Sequence, residues 1–331
     1  MTSRPRVRDS RVVIGAPLYN NSANLPQALD SLLSQTYPDA AYMLIDDCSS
    51  DATAEIAATY AERDERVHFE TNERRLGLIG TYLRCFERAR DLCPSMEYFA
   101  WASDHDMWHP RWLGELVRAM DADPGAALAY PRSVGVLDDG TATHFPASFA
   151  TVGVEDPLER LRMAIVGAPA GYLVYGLSRA DLLEDCGVYR PVRDPDRLLM
   201  AELSLRGRLI EIPEVLYYRR RTERPNAARQ RAACFPDGVP LHVLVPWPLT
   251  HAAMLTWGVL GGRAPGAAKR VSLALGAGWI YGRWGLELEL HRRLRGRSVT
   301  RKFSGLARRR RAARAAMLAR GAEAATGRRV P

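Results

Sequence analysis

Residues 11–51 read R-V-V-I-G-A-P-L-Y-N-N-S-A-N-L-P-Q-A-L-D-S-L-L-S-Q-T-Y-P-D-A-A-Y-M-L-I-D-D-C-S-S-D, and this stretch decides the fold. Val12, Val13, Ile14, Gly15 and Ala16 form a short, β-branched run stopped by Pro17, the pattern of a strand buried on both faces. Asn20 to Asn24 supply turn and cap residues, and Leu25, Ala28, Leu29, Leu32 and Leu33 follow at helical spacing. A second apolar run, Tyr42-Met43-Leu44-Ile45, leads into Asp46-Asp47-Cys48-Ser49-Ser50-Asp51, which opens a helix through Ile56 to Ala61. The pattern repeats with a third strand at Val67-His68-Phe69 and a third helix from Leu76 to Ala89. Strands alternating with crossover helices pair in parallel. The expectation is an α/β chain built on a mostly parallel, Rossmann-like sheet flanked by helices.

Sheets of this kind bind ligands beyond the carboxyl ends of their strands. The polar residues of this chain collect there. The first strand delivers Pro17, Tyr19 and Asn20, the second Asp46 and Asp47, and a fourth, Tyr98 to Ala102, delivers Ser103-Asp104-His105-Asp106. No G-x-G-x-x-G follows the first strand and no G-x-x-x-x-G-K-[ST] occurs, which argues against a dinucleotide dehydrogenase and a P-loop NTPase. Asp104 and Asp106 can instead converge on a hard divalent cation that also holds substrate phosphates. In the competing reading Asp104 only caps a helix starting near Pro110. For Asp46 and Asp47, one carboxylate suffices to cap the next helix, and the second is free to accept from a ring N–H or ribose hydroxyls. His105 is a candidate ligand or an outer partner of the carboxylates.

The composition is that of a globular protein: 331 residues, 47% hydrophobic and 25% charged, enough for one large domain or two smaller ones. The net charge of +8 is unevenly spread. Residues 291–331 hold 14 Arg and Lys against the single Glu323, a local +13, so residues 1–290 carry −5. Five cysteines without a C-x-x-C pair suggest neither a disulfide framework nor structural zinc, and a reducing cytosol fits them. The N-terminus lacks an apolar run long enough for a secretion signal.

Four segments, V-V-I-G-A-P-L-Y-N (12–20), L-I-D-D-C-S-S-D-A-T (44–53), N-E-R-R-L-G (72–77) and W-A-S-D-H-D-M-W (101–108), together resemble the family 2 inverting glycosyltransferases of the GT-A fold. The resemblance covers about residues 11–221. It implies transfer of a sugar from a nucleotide-diphosphate donor to a hydroxyl acceptor. It also implies that Pro17 and Tyr19, with Asn20 beside them, line the nucleoside pocket, that Asp47, with Asp46 next to it, bonds the base, and that Arg75 and Gly77 belong to the donor-binding segment. Asp104 would meet the ribose or a metal, and Asp106 would bind Mn²⁺ or Mg²⁺ bridging the diphosphate. The family's catalytic base is an acidic residue about eleven positions before a helix-closing glycine, and Asp196 stands eleven before Gly207. Two departures stand out: Arg75 replaces the second asparagine of the N-x-x-N-x-G pattern, and Pro195 precedes Asp196, which leaves Asp194 as a rival base. Asp196 could also serve only as the N-cap of a helix over 197–206. A nucleotidyltransferase of related fold and a non-catalytic nucleotide-sugar-binding or scaffold protein are the alternatives.

Gly167 to Tyr172 reads as a small-residue turn leading to a strand over Leu173-Val174-Tyr175-Gly176, and Glu214 to Arg221 as a closing strand with a basic end. The organisation expected is a tail over 1–10, a catalytic domain over 11–225, an apolar, aromatic-rich helical region over 226–290 and a basic tail over 291–331. Residues 238–262 contain no Asp, Glu, Lys or Arg, yet Pro240, Pro246, Pro248, His242 and His251 oppose one continuous spanning helix. Trp247, Trp257, Trp279, Tyr281 and Trp284 favour a bilayer interface, with helices that complete the fold or a true span as alternatives. The Arg-rich tail suits anionic headgroups, at about 1 kcal/mol per cation. Nucleic acid is disfavoured, since no recognition motif occurs and the body is acidic. The expected location is cytoplasmic, peripheral at the inner face of the cell membrane. A membrane-linked glycan or cell-envelope precursor is the expected acceptor.

Overall fold

The computed structural model describes residues 10–146, 148–221, 227–261 and 267–295. The Arg-rich run beyond residue 295 lies outside them. The first third is a strand and helix alternation: β1 (Val12–Leu18), α1 (Leu25–Leu33), β2 (Ala40–Asp46), α2 (Thr53–Arg63), β3 (Val67–Thr71), α3 (Gly77–Leu92) and β4 (Tyr98–Trp101). Next come β5 (Met107–Trp108), α4 (Trp112–Ala122), β6 (Ala126–Val136), β7 (Ala142–His144), α5 (Pro157–Gly167), α6 (Ala170–Leu173), β8 (Leu177–Arg179), α7 (Ala180–Asp185), α8 (Pro195–Arg206) and β9 (Arg208–Arg220). The C-terminal part is helical: α9 (Ala227–Cys234), α10 (Leu241–Leu244), α11 (Trp247–Gly261) and α12 (Ala267–Arg295).

Among the described residues one sheet runs in the order β3-β2-β1-β4-β8-β6-β9-β5, with β7 on β6. The long ladders, β1 with β2 and β4, β2 with β3, and β6 with β9, are parallel, while β8 and β5 join by short antiparallel pairings. This is the mostly parallel α/β architecture expected of a GT-A fold. Alternation along the strands feeds two cores. Val12, Ile14, Leu44 and Ala100 pack with Leu25, Leu29, Trp112 and Leu116 on the α1 and α4 side. Val13, Met43, Ile45, Phe99 and Trp101 pack with Tyr82, Cys85 and Phe86 of α3 on the other.

One local expectation is corrected. Leu173 to Gly176 is not a strand: Tyr172 and Leu173 N–H bond back to the Pro169 carbonyl and Val174 N–H to that of Ala170, so the segment coils into α6. The strand starts at Leu177, where Leu177 and Ser178 insert between β4 and β6. This turn brings Tyr175 and Gly171 toward the end of β9.

Within 226–290, α11 and α12 form a hairpin that shares a third core with the α/β body. Trp247, Leu255, Val259, Ala274, Ala277 and Tyr281 meet Leu161 and Ile165 of α5 and Leu198, Ala201 and Leu205 of α8. The opposite rows face outward. Trp257 is 76% exposed, Trp279 64% and Leu275 62%, with Leu249, Leu260, Val271, Leu286 and Leu290 also exposed. No helix among the described residues is long and apolar enough to cross a membrane.

Candidate active site

The ends of β1, β2 and β4 are cross-tied by their polar residues. Tyr19 N–H donates to Asp104 Oδ2 at 3.2 Å, and the Asn21 side-chain amide donates to Asp104 Oδ1 at 2.9 Å. Asn20 takes a positive φ of 47°. Its N–H donates to Ser49 Oγ at 2.9 Å and its side-chain oxygen accepts from Ser50 N–H at 2.7 Å. Pro17 lies opposite Ile45 in the β1–β2 register. The first two loops of the sheet's open end are thereby one unit.

Asp46 and Asp47, adjacent in sequence, serve different ends. Asp47 is buried, and its carboxylate accepts from Leu76 N–H at 2.6 Å, Gly77 N–H at 2.8 Å and the Asn72 amide at 2.9 Å. It therefore fixes the 72–77 segment at the start of α3, satisfying donors that a helix end leaves open. Asp46 is equally buried, but only its Oδ2 has a partner, Ser49 N–H at 3.0 Å, while its Oδ1 has none. Asn72 Oδ1 is likewise buried without a partner. Gly77 has φ +74°, and a Cβ there would lie 2.5 Å from Pro236 Cδ and 2.8 Å from the Ala233 carbonyl, so the chain after α9 covers this segment closely. Arg75 lays its guanidinium 4.2 Å from the Tyr19 ring, a cation–π pair, with its Nε 4.0 Å from Asp47 Oδ2.

The Asp104–Asp106 turn sends its carboxylates to different strands. Asp104 turns to β1, and its Oδ1 also bonds His105 Nδ1 at 2.7 Å. Asp106, fully buried, turns to β9: Tyr217 O–H donates to its Oδ2 and Arg220 N–H to its Oδ1 at 2.8 Å. Arg220 further donates from Nε to the His105 carbonyl at 3.1 Å, clamping the turn from outside. For a divalent ion the two carboxylates are therefore unequal. Asp104 is partly exposed and its Oδ2 has one partner, so a lone pair remains, whereas Asp106 is enclosed. Among the described residues no group of three or more His, Cys, Asp and Glu is arranged to hold a metal. Asp104 is therefore the carboxylate of this turn that could ligate such an ion, which would need further ligands from elsewhere.

Asp196 and Asp194 also separate in space. α8 starts at Pro195, so the N-cap position falls on Asp194, in a left-handed conformation (φ 53°, ψ 55°) and without a side-chain cap bond. Asp196 sits in the first turn, where its Oδ1 accepts from Arg197 N–H at 2.9 Å. Burial, aided by the Asp194 charge, raises the Asp196 pKa above the usual carboxylate range. A Cβ on Gly171 would lie 3.4 Å from Asp196 Oδ2 and 3.6 Å from Arg219 Nη1, so the small residue leaves both groups facing one space.

The sequence does not distinguish Arg219 from Arg220 and Arg221, and the structure gives it a distinct setting. Its Nη1 donates to the Gly171 carbonyl at 2.6 Å, and its guanidinium lies 4.7 Å from the Tyr172 ring and 6.0 Å from that of Tyr175. Among the described residues no ion pair includes it. A half-buried cation outside any close ion pair, within electrostatic reach of Asp196 and Asp106, is suited to an anionic ligand group.

The model of the family described as Glycosyl transferase family 2 matches residues 13–163 of this chain. The undecaprenyl-phosphate mannosyltransferase of Micrococcus luteus is 30% identical over 180 residues, 52% of this chain and 68% of that protein. The Bacillus subtilis glycosyltransferase TuaG, named for teichuronic acid biosynthesis, is 30% identical over 130 residues, 39% of this chain and 49% of that one. This chain spans about half or less of the length of the first curated relatives it matches. Among solved structures, S. aureus TarS 1–349 in complex with UDP-GlcNAc has the same fold, with a TM-score of 0.56 at 16% identity over 80% of this chain and 70% of that chain.

Proposed function

This chain belongs to glycosyl transferase family 2, and from that premise we propose that it moves a sugar from a nucleotide-diphosphate sugar to an acceptor hydroxyl with inversion, Asp196 acting as general base. The observation that carries the proposal is that a half-buried carboxylate with raised pKa, Asp196, and a guanidinium outside any ion pair among the described residues, Arg219, face one space at Gly171. Direct displacement at an anomeric carbon needs a base for the acceptor proton and positive charge for the departing diphosphate. Burial raises the proton affinity of Asp196 toward that of an effective base, and Arg219 supplies charge beside it. Inversion follows from using one carboxylate as base without a covalent sugar on the enzyme.

The donor occupies the ends of β1, β2 and β4. Pro17, Tyr19, Asn20, Arg75 and Gly77 wall the nucleoside and diphosphate side. The unpartnered Asp46 Oδ1 and Asn72 Oδ1 are the acceptors left for a base or ribose donor, and Asp47 holds the segment that carries Asn72. The bound form of TarS supports a uridine donor as the first to try. Mn²⁺ or Mg²⁺ entering with the donor would be held through Asp104, with Asp106 keeping the turn in place, and would add Lewis-acid charge at the diphosphate. A thermal-shift series with UDP, GDP, dTDP and CDP, each with and without Mn²⁺, tests the donor assignment. The expected result is a rise in Tm of several degrees with one nucleotide, enlarged by Mn²⁺. Failure of all four to stabilise the protein would refute it.

The acceptor is proposed to lie at an anionic membrane surface on the cytoplasmic side, as a polyprenyl-linked glycan or other cell-envelope precursor. Support comes from the outward rows of α11 and α12, with Trp257, Leu275 and Trp279 exposed, next to a sequence end carrying 14 Arg and Lys against one Glu. The full-length protein is expected to float with phosphatidylglycerol vesicles at low salt. Replacing Trp257, Leu275 and Trp279 together by Ser should reduce the bound fraction about tenfold or more, since each exposed side chain contributes about 1.5–3 kcal/mol when buried. Equal flotation of the two proteins would exclude this face as the contact.

A further inference from the structure

We propose that His251 is a positioning residue for Asp196, and that the α11–α12 hairpin is thereby a working part of the active site. This rests on the assignment of Asp196 as base. The loop before α8 runs past the hairpin, and two of its carbonyls are taken by histidines of the C-terminal helices. His242 Nε2 lies 2.7 Å from the Pro191 carbonyl, and His251 Nε2 lies 2.6 Å from that of Arg193. A carbonyl can only accept, so His251 Nε2 carries the ring proton; Nδ1 must then accept, and Tyr281 O–H at 2.8 Å is its donor. The tautomer is therefore set by α12 and used to hold a loop of the catalytic body.

Position makes this more than a packing contact. Arg193 immediately precedes Asp194, whose left-handed φ of 53° turns the chain into Pro195 and Asp196. Left-handed backbone costs an Asp free energy, and it persists only where neighbours hold the chain on both sides. Upstream the hold is His251 on Arg193; downstream it is Arg197, whose N–H donates to the Asp194 carbonyl at 3.1 Å. The Arg197 guanidinium is itself flanked by Trp247 at 5.8 Å and Trp284 at 5.5 Å, one from each helix of the hairpin. Both sides of the turn thus refer to α11 and α12. His251 has 0% exposure, and burial pushes its pKa down to about 4, so the ring stays neutral and keeps this bonding near neutral pH. Loss of the bond would free the turn without touching the donor pocket at the other strand ends.

The test compares the kinetics of His251→Phe, His251→Gln, Tyr281→Phe and Asp196→Asn in the full-length protein. His251→Phe keeps the bulk and removes both bonds. Its kcat for transfer should fall about 10²-fold, the scale seen when a catalytic group is misplaced by about 1 Å, while donor KM and nucleotide Kd stay near wild type. His251→Gln, which can still donate to Arg193, should recover about tenfold of that loss. Tyr281→Phe removes only a hydroxyl, so it should fold and still lose several-fold in kcat. Wild-type kcat in Tyr281→Phe and His251→Gln, or kcat and donor KM shifting together in them, overturns the proposal. Asp196→Asn separates the two ideas. If it abolishes transfer while the His251 and Tyr281 variants keep wild-type kcat, the positioning role alone fails; if Asp196→Asn itself transfers normally, the base assignment fails.

Discussion

Asp196→Asn is expected to lower the transfer rate by about 10²–10⁴-fold, the usual contribution of a positioned general base. Asn keeps the size of Asp and removes the charge that accepts the acceptor proton, so the loss falls on kcat. Nucleotide binding should change by no more than about twofold in Kd, because the proposed donor site lies at the ends of β1, β2 and β4. Asp194→Asn is the control: Asp194 sits at the N-cap position and its effect should stay within a few-fold. A larger loss in Asp194→Asn than in Asp196→Asn would transfer the base to the rival residue. The pH profile adds a second reading. A base works ionised, and burial raises the Asp196 pKa. The wild-type kcat/KM should therefore fall as pH drops through a value above that of an ordinary aspartate, and this limb should be missing from the residual rate of Asp196→Asn.

Arg219→Met should cost about 10²–10³-fold in kcat, comparable to removing one donor from an oxyanion-stabilising site. The substitution retains much of the side chain's contact with Tyr172 and Tyr175 and removes the charge that faces Asp196 and the Asp106 side. Arg219→Lys should recover only part of the activity, since an ammonium lacks the planar fork that bonds the Gly171 carbonyl and could meet a phosphate at the same time. Steady-state kinetics of both variants at saturating donor gives the answer. If Arg219→Met retained kcat within a few-fold of wild type, the charge on the leaving group would have to be met elsewhere, and Arg75 at the Tyr19 ring would become the next residue to test.

The parallel sheet and its strand ends were legible because their signals are local. An apolar β-branched run followed by Pro17, or by Asp46-Asp47, announces both the strand and the place where it ends. Asp104 and Asp106 could be placed at the end of β4 for the same reason. Their division of labour could not. Asp106 is enclosed by Tyr217 and Arg220, more than a hundred residues away, and Asp104 is turned to β1; a spacing of two residues is compatible with convergence or divergence alike. Asp47 shows the same limit: its two neighbours in sequence give no hint that its carboxylate holds Leu76 and Gly77. The strand misread at 173–176 had the composition of one, but hydrogen bonding back to Pro169 and Ala170 makes it a helical turn.

The C-terminal third divides along the same line. Its lack of charge over 238–262, its prolines and its tryptophans are properties of the sequence, and they pointed to an apolar, aromatic-rich helical region. Which face would be covered depended on the grooves of α5 and α8, and on His251 reaching a carbonyl beside Asp194, because burial is decided by the partner surface as much as by the residue. The sequence by itself therefore determined the alternation of strands and helices through β4, the sheet end where the polar residues collect, and the acidic residues available there, since each follows from periodicity and charge within a few residues. Only the tertiary structure decided that Asp196 and Arg219 face one space at Gly171 and that His251 of the helical hairpin meets the Arg193 carbonyl in the loop before α8. Those relations join residues distant along the chain, and local pattern carries no record of such contacts.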